Sequence, residues 1–150
     1  MAALRNHVII AGFGVSGRFI AEYLGDHDIP FVLVEMNPET CSTQRALGLQ
    51  VINGDIADER IMRAAGVETA SVLALSIPDE NAALKATELA NTIRPNIHII
   101  AGTRYTSTGF QALEKGADEV VVAEQAVAME FYRRIAMFLS APGRIPSKDK

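Results

Sequence analysis

Residues 7–18 constrain the fold of this 150-residue chain more than any other stretch. An apolar run with several β-branched residues leads directly into three glycines, Gly12, Gly14 and Gly17, spaced G-x-G-x-x-G. This pattern is typical of a strand, a tight turn and a helix start. The first glycine permits the turn, the second lets a pyrophosphate approach the backbone, and the third lets the helix pack closely on the strand. The free N–H groups of such a helix start can bind an anion.

An acidic residue ends the next apolar run and strengthens this interpretation. Glu35 closes the segment 31–35 and lies 18 residues after Gly17, close to the roughly 20-residue spacing of dinucleotide-binding domains. A carboxylate there accepts hydrogen bonds from the hydroxyls of an adenosine ribose, and it repels a 2′-phosphate, which favours NAD over NADP. The alternative is that Glu35 is a solvated charge at the end of a strand.

Apolar segments alternate with helical patterns along most of the chain. The predicted strands are 7–11, 31–35, 49–53, 72–76, 97–101 and 119–123, and the helices that follow them end near residues 24, 47, 65, 91, 115 and 139. Continuous apolar strands joined by helical crossovers indicate a parallel sheet buried on both faces. We therefore expect one α/β domain with a Rossmann-like, doubly wound, six-stranded parallel sheet over residues 1–139. Residues 140–150, rich in proline, glycine and charge, are expected to form a linker.

Composition excludes several classes of protein. The chain has 14 basic and 18 acidic residues and a net charge of −4, which argues against a nucleic-acid-binding protein that neutralises phosphates. Cys41 is the only cysteine, so we expect neither a disulfide framework nor a cysteine-built metal site, in keeping with a reducing, cytoplasmic location. No apolar segment approaches the roughly 18 residues of a membrane-spanning helix, so direct membrane insertion is not expected.

Catalytic signatures are missing from the sequence. It contains no Tyr-x-x-x-Lys pair, no nucleophile elbow and no cluster of histidines or carboxylates, and the nucleotide-binding fold uses nearly all of the chain. We therefore predict a binding domain rather than an enzyme. One alternative is a fragment of an NAD-dependent oxidoreductase whose second domain is missing. Another is an S-adenosylmethionine-binding, methyltransferase-like domain, although the first strand lacks an acidic residue before its glycines.

Two charged residues follow predicted strands and have two interpretations each. Asp55, after the third strand, can reach the adenosine or can cap the next helix. Arg104, after the fifth strand, can contact a phosphate or can be a solvated loop charge.

The last predicted helix is more apolar than an ordinary surface helix. Its charged residues Glu130, Arg133 and Arg134 share one arc, whereas its apolar residues cover about 200° of the remaining surface at 100° per residue. A surface helix needs an apolar stripe of little more than about 100°. The excess predicts a second burial surface, provided either by a homodimer partner through this helix or by a downstream domain.

Further motifs lie after the glycine loop: Val34-Glu35-Met36-Asn37, Leu47-Gly48 followed by Gly54-Asp55, Ala64-Ala65-Gly66-Val67-Glu68, Ile77-Pro78-Asp79, and Gly116-Ala117-Asp118. In these motifs and in the glycine loop, residues 6–139 resemble the N-terminal lobe of the RCK or KTN family. This lobe is the TrkA-N domain of potassium channels, potassium uptake systems and Kef-type cation/proton antiporters.

The resemblance implies a regulatory domain that binds AMP or NAD(H), with ADP and ATP as further candidates, and that dimerises to control a membrane channel or antiporter from its cytoplasmic side. Carried over by position, the glycines would hold phosphates, Glu35 the ribose, Asp55 the adenosine, and Ser76 and Arg104 the distal phosphates. The full set implied by the resemblance is Gly12, Phe13, Gly14, Val15, Ser16, Gly17, Glu35, Met36, Asn37, Asp55, Ile56, Ser76, Arg104 and Glu124.

The chain departs from the family pattern at three places. Val15 stands where many members have arginine, Ala101-Gly102 where many have Ala-Arg, and Ala123 where many have proline. The loss of positive charge favours AMP or NAD(H) over a triphosphate.

Overall fold

Six short apolar segments pair as strands of one sheet in the computed structural model, which describes residues 4–145. The strands are β1 (Val8–Ala11), β2 (Phe31–Glu35), β3 (Val51–Asn53), β4 (Val72–Leu75), β5 (His98–Thr103) and β6 (Glu119–Val122). The helices that follow them are α1 (Val15–Asp26), α2 (Pro38–Ala46), α3 (Glu59–Ala64), α4 (Glu80–Ile93), α5 (Thr106–Glu114) and α6 (Ala123–Leu139). The predicted alternation of six strands and six helices is confirmed.

All five strand pairs are parallel, and the strand order is β3-β2-β1-β4-β5-β6. This is the order of the doubly wound Rossmann sheet, which confirms the predicted fold class. The direction of winding reverses beside β1, where Ala11 pairs with Val34 of β2 on one side and Leu75 of β4 on the other. In such sheets a ligand binds in the crevice at the carboxyl ends of the strands on either side of this reversal.

Each face of the sheet carries its own apolar core. Met62, Leu84 and Ala112 from helices α3, α4 and α5 cover one face. Leu24 and Cys41 from α1 and α2 cover part of the other face, over β1, β2 and β3. Burial of both faces explains why the central strands are uninterrupted apolar runs.

Several boundaries differ from those predicted. Helix α1 continues past Gly25 to Asp26, and its Phe19 and Tyr23 are exposed although they belong to the apolar pattern. Strand β5 continues through Gly102 to Thr103. The longer β5 is explained by its neighbour, because Gly102 and Thr103 pair with Val121 and Val122 of β6. The end of α1 lies within the one or two residues by which helix boundaries commonly vary.

Helix α6 departs most from expectation, because none of its residues is buried. Phe131 is 65% exposed and Ile135 is 56% exposed. The sequence predicted an apolar surface in excess of what the sheet needs, whereas in the structure every residue of the apolar arc except the half-buried Leu139 is exposed. The predicted linker is exposed at residue 140 and over residues 142–145 and half-buried at Ala141, and the rest of it lies outside the described residues.

Within residues 4–145, no helix combines the length and the apolar character needed to cross a bilayer. Over the same residues, no group of three or more histidine, cysteine or acidic side chains is arranged to hold a metal ion.

Candidate nucleotide-binding cleft

The three glycines between β1 and α1 meet three different requirements. Gly12 has φ +96°, and a Cβ there would lie 2.6 Å from the carbonyl oxygen of Ser76. A Cβ on Gly17 would overlap the carbonyl oxygen of Gly12. Gly14 has φ −81°, which any residue adopts, and a Cβ built on it meets no heavy atom within 4 Å. The fold therefore requires glycine at positions 12 and 17, whereas Gly14 borders open space that a phosphate can fill.

The first turn of α1 has donors available for that space. Gly14 is the N-cap residue of α1, and no side chain caps this helix start. In contrast, the side chains of Asn37 and Asp79 accept hydrogen bonds from the first turns of α2 and α4. Because the first N–H groups of a helix have no partner within it, α1 presents donors and the positive end of its dipole to the cleft.

The Glu35 carboxylate holds the opposite rim in place. Its Oε1 accepts a hydrogen bond from the N–H of Phe13 at 3.0 Å, and its Oε2 accepts one from the N–H of Asn37 at 2.7 Å. The amide of Asn53 donates to the carbonyl oxygens of Glu35 and Met36, at 3.0 Å each. A carboxylate has about four acceptor positions, so two remain for the hydroxyls of a ligand.

Between the glycine loop and the ends of β2, β3 and β4 lies a cleft of about 630 Å³. It brings together nine of the fourteen residues carried over from the resemblance: Gly12, Phe13, Gly14, Glu35, Met36, Asn37, Asp55, Ile56 and Ser76. Thr40, Ile77, Pro78 and Asp79 also line it and were not predicted as ligand contacts. The Ile77-Pro78-Asp79 motif could have indicated these contacts, because it directly follows the fourth predicted strand and ligands bind at strand ends in such sheets.

The structure decides one of the two interpretations of Asp55. The cap of α3 is Asp58, whose Oδ1 accepts a hydrogen bond from the N–H of Arg60 at 2.9 Å. The carboxylate of Asp55 accepts from the N–H of Ala57 at 2.9 Å and borders the cleft. The expectation that Asp55 caps the helix is therefore wrong, and its contact with adenosine stays a prediction.

The remaining predicted residues lie outside this cleft. Ser16 and Arg104 line a second groove of about 460 Å³ on the other side of β4, between α1 and the start of α6. Gly17 is buried and Val15 is exposed. The carboxylate of Glu124 accepts hydrogen bonds from the N–H and the hydroxyl of Thr106, at 3.1 and 3.0 Å, and so caps α5.

A second carboxylate supports the loop after β5. Glu80 accepts hydrogen bonds from the N–H of Arg104 and, at 2.7 Å, from the hydroxyl of Thr108. These two hydrogen bonds, the first having the larger effect, lower the pKa of Glu80 from its ordinary value of 4.5. Glu80, the first residue of α4, is thereby linked to the loop after β5. The first turn of α6 contacts the same loop, because the N–H of Glu124 donates to the carbonyl oxygen of Arg104.

The sheet order and the cleft at the carboxyl ends of its strands define a domain of the Rossmann type. The family model of the TrkA-N domain matches residues 8–123, and the chain belongs to the TrkA-N domain family. This confirms the resemblance found in the sequence.

Two relatives have names that indicate membrane transport. The chain is 33% identical, over 82% of its length, to the putative cation/proton antiporter YbaL of Escherichia coli, and 28% identical, over 94%, to the putative K⁺ efflux antiporter KefB of Alkalimonas amylolytica. It spans about a fifth of these curated relatives, 22% and 21% of their lengths.

Solved structures agree with this fold. The TrkA-N domain of the inner membrane protein YbaL from Escherichia coli superposes with a TM-score of 0.86 at 30% identity, covering 89% of this chain and 99% of that one. The AMP-bound Kef C-terminal domain of Shewanella denitrificans has a TM-score of 0.78 at 24% identity, covering 91% and 83%. The GsuK channel bound to NAD has a TM-score of 0.72 at 20% identity, covering 79% and 21%.

Proposed function

We propose that this chain is a regulatory, ligand-sensing domain that binds an adenine nucleotide or NAD(H) and controls potassium or cation transport through a membrane channel or antiporter. The cleft carries this proposal, because it combines an uncapped helix start, open space at Gly14 and a fixed carboxylate at Glu35. The neighbouring structures that contain AMP and NAD support the same ligand class for this fold.

The residues at each end of the cleft have a specific role in binding the ligand. Backbone N–H groups at the start of α1 bind the phosphate next to Gly14. The free acceptor positions of Glu35 bind the ribose hydroxyls, and Met36, Asp55 and Ile56 border the space for the base. AMP and the adenylate half of NAD(H) share these groups, and ADP and ATP can place their first phosphate in the same way.

Binding without catalysis is part of the proposal. The relatives are named as antiporters, and their names do not indicate enzymes. We place residues 1–139 as the cytoplasmic sensing domain and residues 140–150 as the linker that follows it. The membrane transporter, in the same chain or a separate one, is the partner.

Calorimetry with the purified domain tests the ligand class. AMP, NAD, NADH, ATP and S-adenosylmethionine are titrated separately, with the Gly14→Val variant as the control for binding at the glycine loop. We expect AMP or NAD(H) to bind the wild-type protein and not this variant. Binding of S-adenosylmethionine alone, or hydride transfer once a second domain is supplied, would replace the proposed function with one of the alternatives.

We further propose that the domain is a homodimer assembled through α6. The groove beside β6 leaves Val121 55% exposed, so part of the sheet face next to α1 is uncovered. On the apolar arc of α6, Phe131 is 65% and Ile135 is 56% exposed. Burying that arc against a second copy stabilises both chains at roughly 25 cal/mol per Å² of apolar area, and isologous pairing is the commonest way to bury it.

Two substitutions on opposite sides of α6 test the dimer. Ile135 lies in the apolar arc, whereas Met137, two residues on and 74% exposed, lies about 200° away among the charged residues. Sedimentation at micromolar concentration should show a dimer for the wild-type protein and for Met137→Glu, and a monomer for Ile135→Glu. A soluble, monodisperse wild-type monomer would refute the dimer and would favour a downstream domain as the cover.

A further inference from the structure

The charged side chains that line the cleft are all acidic. Three carboxylates line it, those of Glu35, Asp55 and Asp79. Within the described residues 4–145, no lysine, arginine or histidine is among the lining residues. The guanidinium of Arg18, one turn into α1, stacks over the ring of Phe13 at 4.7 Å from its centroid.

Among the described residues that line the cleft, positive charge for the ligand phosphate therefore comes only from the start of α1, and a helix N-terminus is equivalent to about half an elementary charge. Arg104 lines the adjoining groove, which shares Ser76, Ile77 and Pro78 with the cleft. A single phosphate ester or the diester pyrophosphate of a dinucleotide carries about two negative charges, which is within reach of this field and its N–H donors. Each further terminal phosphate group adds charge that the cleft does not neutralise. The affinity of a site of this kind for a nucleotide therefore falls as the negative charge of the nucleotide rises.

Of the three carboxylates, that of Asp79 is in the best position to repel the phosphates. Glu35 and Asp55 follow β2 and β3, on the side of the cleft where the ribose and base are proposed to bind. Asp79 follows β4, three residues after Ser76, and the carbonyl oxygen of Ser76 lies next to Gly12. Its Oδ1 accepts a hydrogen bond from the N–H of Ala82 at 3.1 Å, so the side chain is held at the start of α4.

We propose that Asp79 is a specificity-determining residue that restricts this cleft to adenine nucleotides of low charge, AMP and NAD(H), and disfavours ADP and ATP. The inference rests on the proposed function, because it concerns the ligand of the same cleft. It assigns the selectivity to a carboxylate that lines the cleft and not only to the lack of an arginine among the described lining residues.

The test is Asp79→Asn, which removes the charge and keeps the shape. Asparagine is as good an N-cap as aspartate, so the hydrogen bond to Ala82 is retained and the helix start stays folded. Asp26→Asn is the matched control, because it removes one carboxylate charge at the other end of α1, about 18 Å away along the helix. Affinities for AMP, NAD, ADP and ATP are measured by calorimetry without divalent cations at low and high salt.

In the wild-type protein we expect ATP to bind at least about tenfold more weakly than AMP, with a smaller difference at high salt because the repulsion is screened. Asp79→Asn should raise the affinity for AMP about threefold and for ATP about tenfold, since a removed charge acts on each ligand in proportion to its own charge. Asp26→Asn should leave the ratio of the AMP and ATP affinities at its wild-type value.

Two results overturn the inference while leaving the proposed function intact. One is wild-type protein that binds ATP as tightly as AMP. The other is an Asp79→Asn variant, folded by circular dichroism, whose affinities for AMP and ATP change by the same factor. Failure of every nucleotide to bind the wild-type protein would overturn the proposed function together with the inference.

Discussion

Replacing Glu35 with alanine should weaken nucleotide binding by two separable routes. The substitution removes the acceptor for the ribose hydroxyls, and it also removes the hydrogen bonds from the N–H groups of Phe13 and Asn37. A hydrogen bond to a charged group contributes about 1.5–3 kcal/mol, so the loss for AMP should be roughly ten- to a hundredfold. Losing the two backbone contacts at this partly exposed position should lower the free energy of unfolding by about 1 kcal/mol, or Tm by about 2–4 °C.

The two routes are separated by using 2′-deoxy-AMP as a second ligand. If Glu35 accepts a hydrogen bond from the 2′-hydroxyl, the wild-type protein should bind 2′-deoxy-AMP about tenfold or more weakly than AMP, and Glu35→Ala should bind the two equally. Such non-additivity is the signature of a direct contact. Calorimetry measures the four affinities, and thermal denaturation measures the stability of the two proteins.

Glu39→Ala is the control, because Glu39 is exposed on the first turn of α2, and it should bind both ligands as the wild-type protein does. Equal penalties for the missing hydroxyl in wild type and Glu35→Ala would refute the reasoning. Glu35 would then act only by holding the glycine loop, and the ribose would lie elsewhere.

Further predictions concern the glycine loop and the pH dependence of stability. Gly14→Val should abolish nucleotide binding with little change in Tm, because its Cβ meets only open space; a large fall in Tm would show that the fold itself needs the space. Gly17→Val should lower Tm severely, since its Cβ would overlap the backbone of the loop; a wild-type melting curve would contradict that packing. The lowered pKa of Glu80 contributes stability that is present above its ordinary value of 4.5 and is lost as the pH falls below it. Melting curves between pH 3 and 7 should therefore show a smaller acid-induced fall in Tm for Glu80→Gln than for wild type. The exposed control Glu22→Gln should show the same fall in Tm as wild type. Identical curves for all three proteins would mean that Glu80 makes no such contribution.

Local sequence predicted the parts of the fold that local rules govern. The apolar β-branched runs and the glycines at helix ends encode the order of strands and helices, and periodicity is enough to read them. Boundaries set by distant partners were missed. Helix α5 begins at Thr106 and not at Thr108, because Glu124, 18 residues away, accepts a hydrogen bond from the N–H of Thr106.

The site was predictable to the extent that it follows strand ends. Gly14 and Glu35 belong to a motif of known spacing, so the two rims of the cleft could be placed from the sequence. Arg104 was assigned to the distal phosphates by position, and it lines the groove that adjoins the cleft at Ser76, Ile77 and Pro78, so this role stays a prediction. Asp79 received no ligand role although it follows the fourth strand closely, because its place in the same cleft as the glycine loop becomes evident only when β1 and β4 are paired.

The attachment of α6 has a mechanical consequence. Its 17 residues form a rod about 26 Å long at 1.5 Å per residue. Near its base, Glu124 and Gln125 are hydrogen-bonded to Thr106. A rotation of about 10° at that base would displace the far tip by about 4.5 Å, the distance that follows from such a rod. The same rotation moves the side of a helix about 5 Å in radius by roughly 0.9 Å at its base. The helix can thus serve as a lever arm, which converts an adjustment of about 1 Å in the loop after β5 into a displacement several times larger at Leu139.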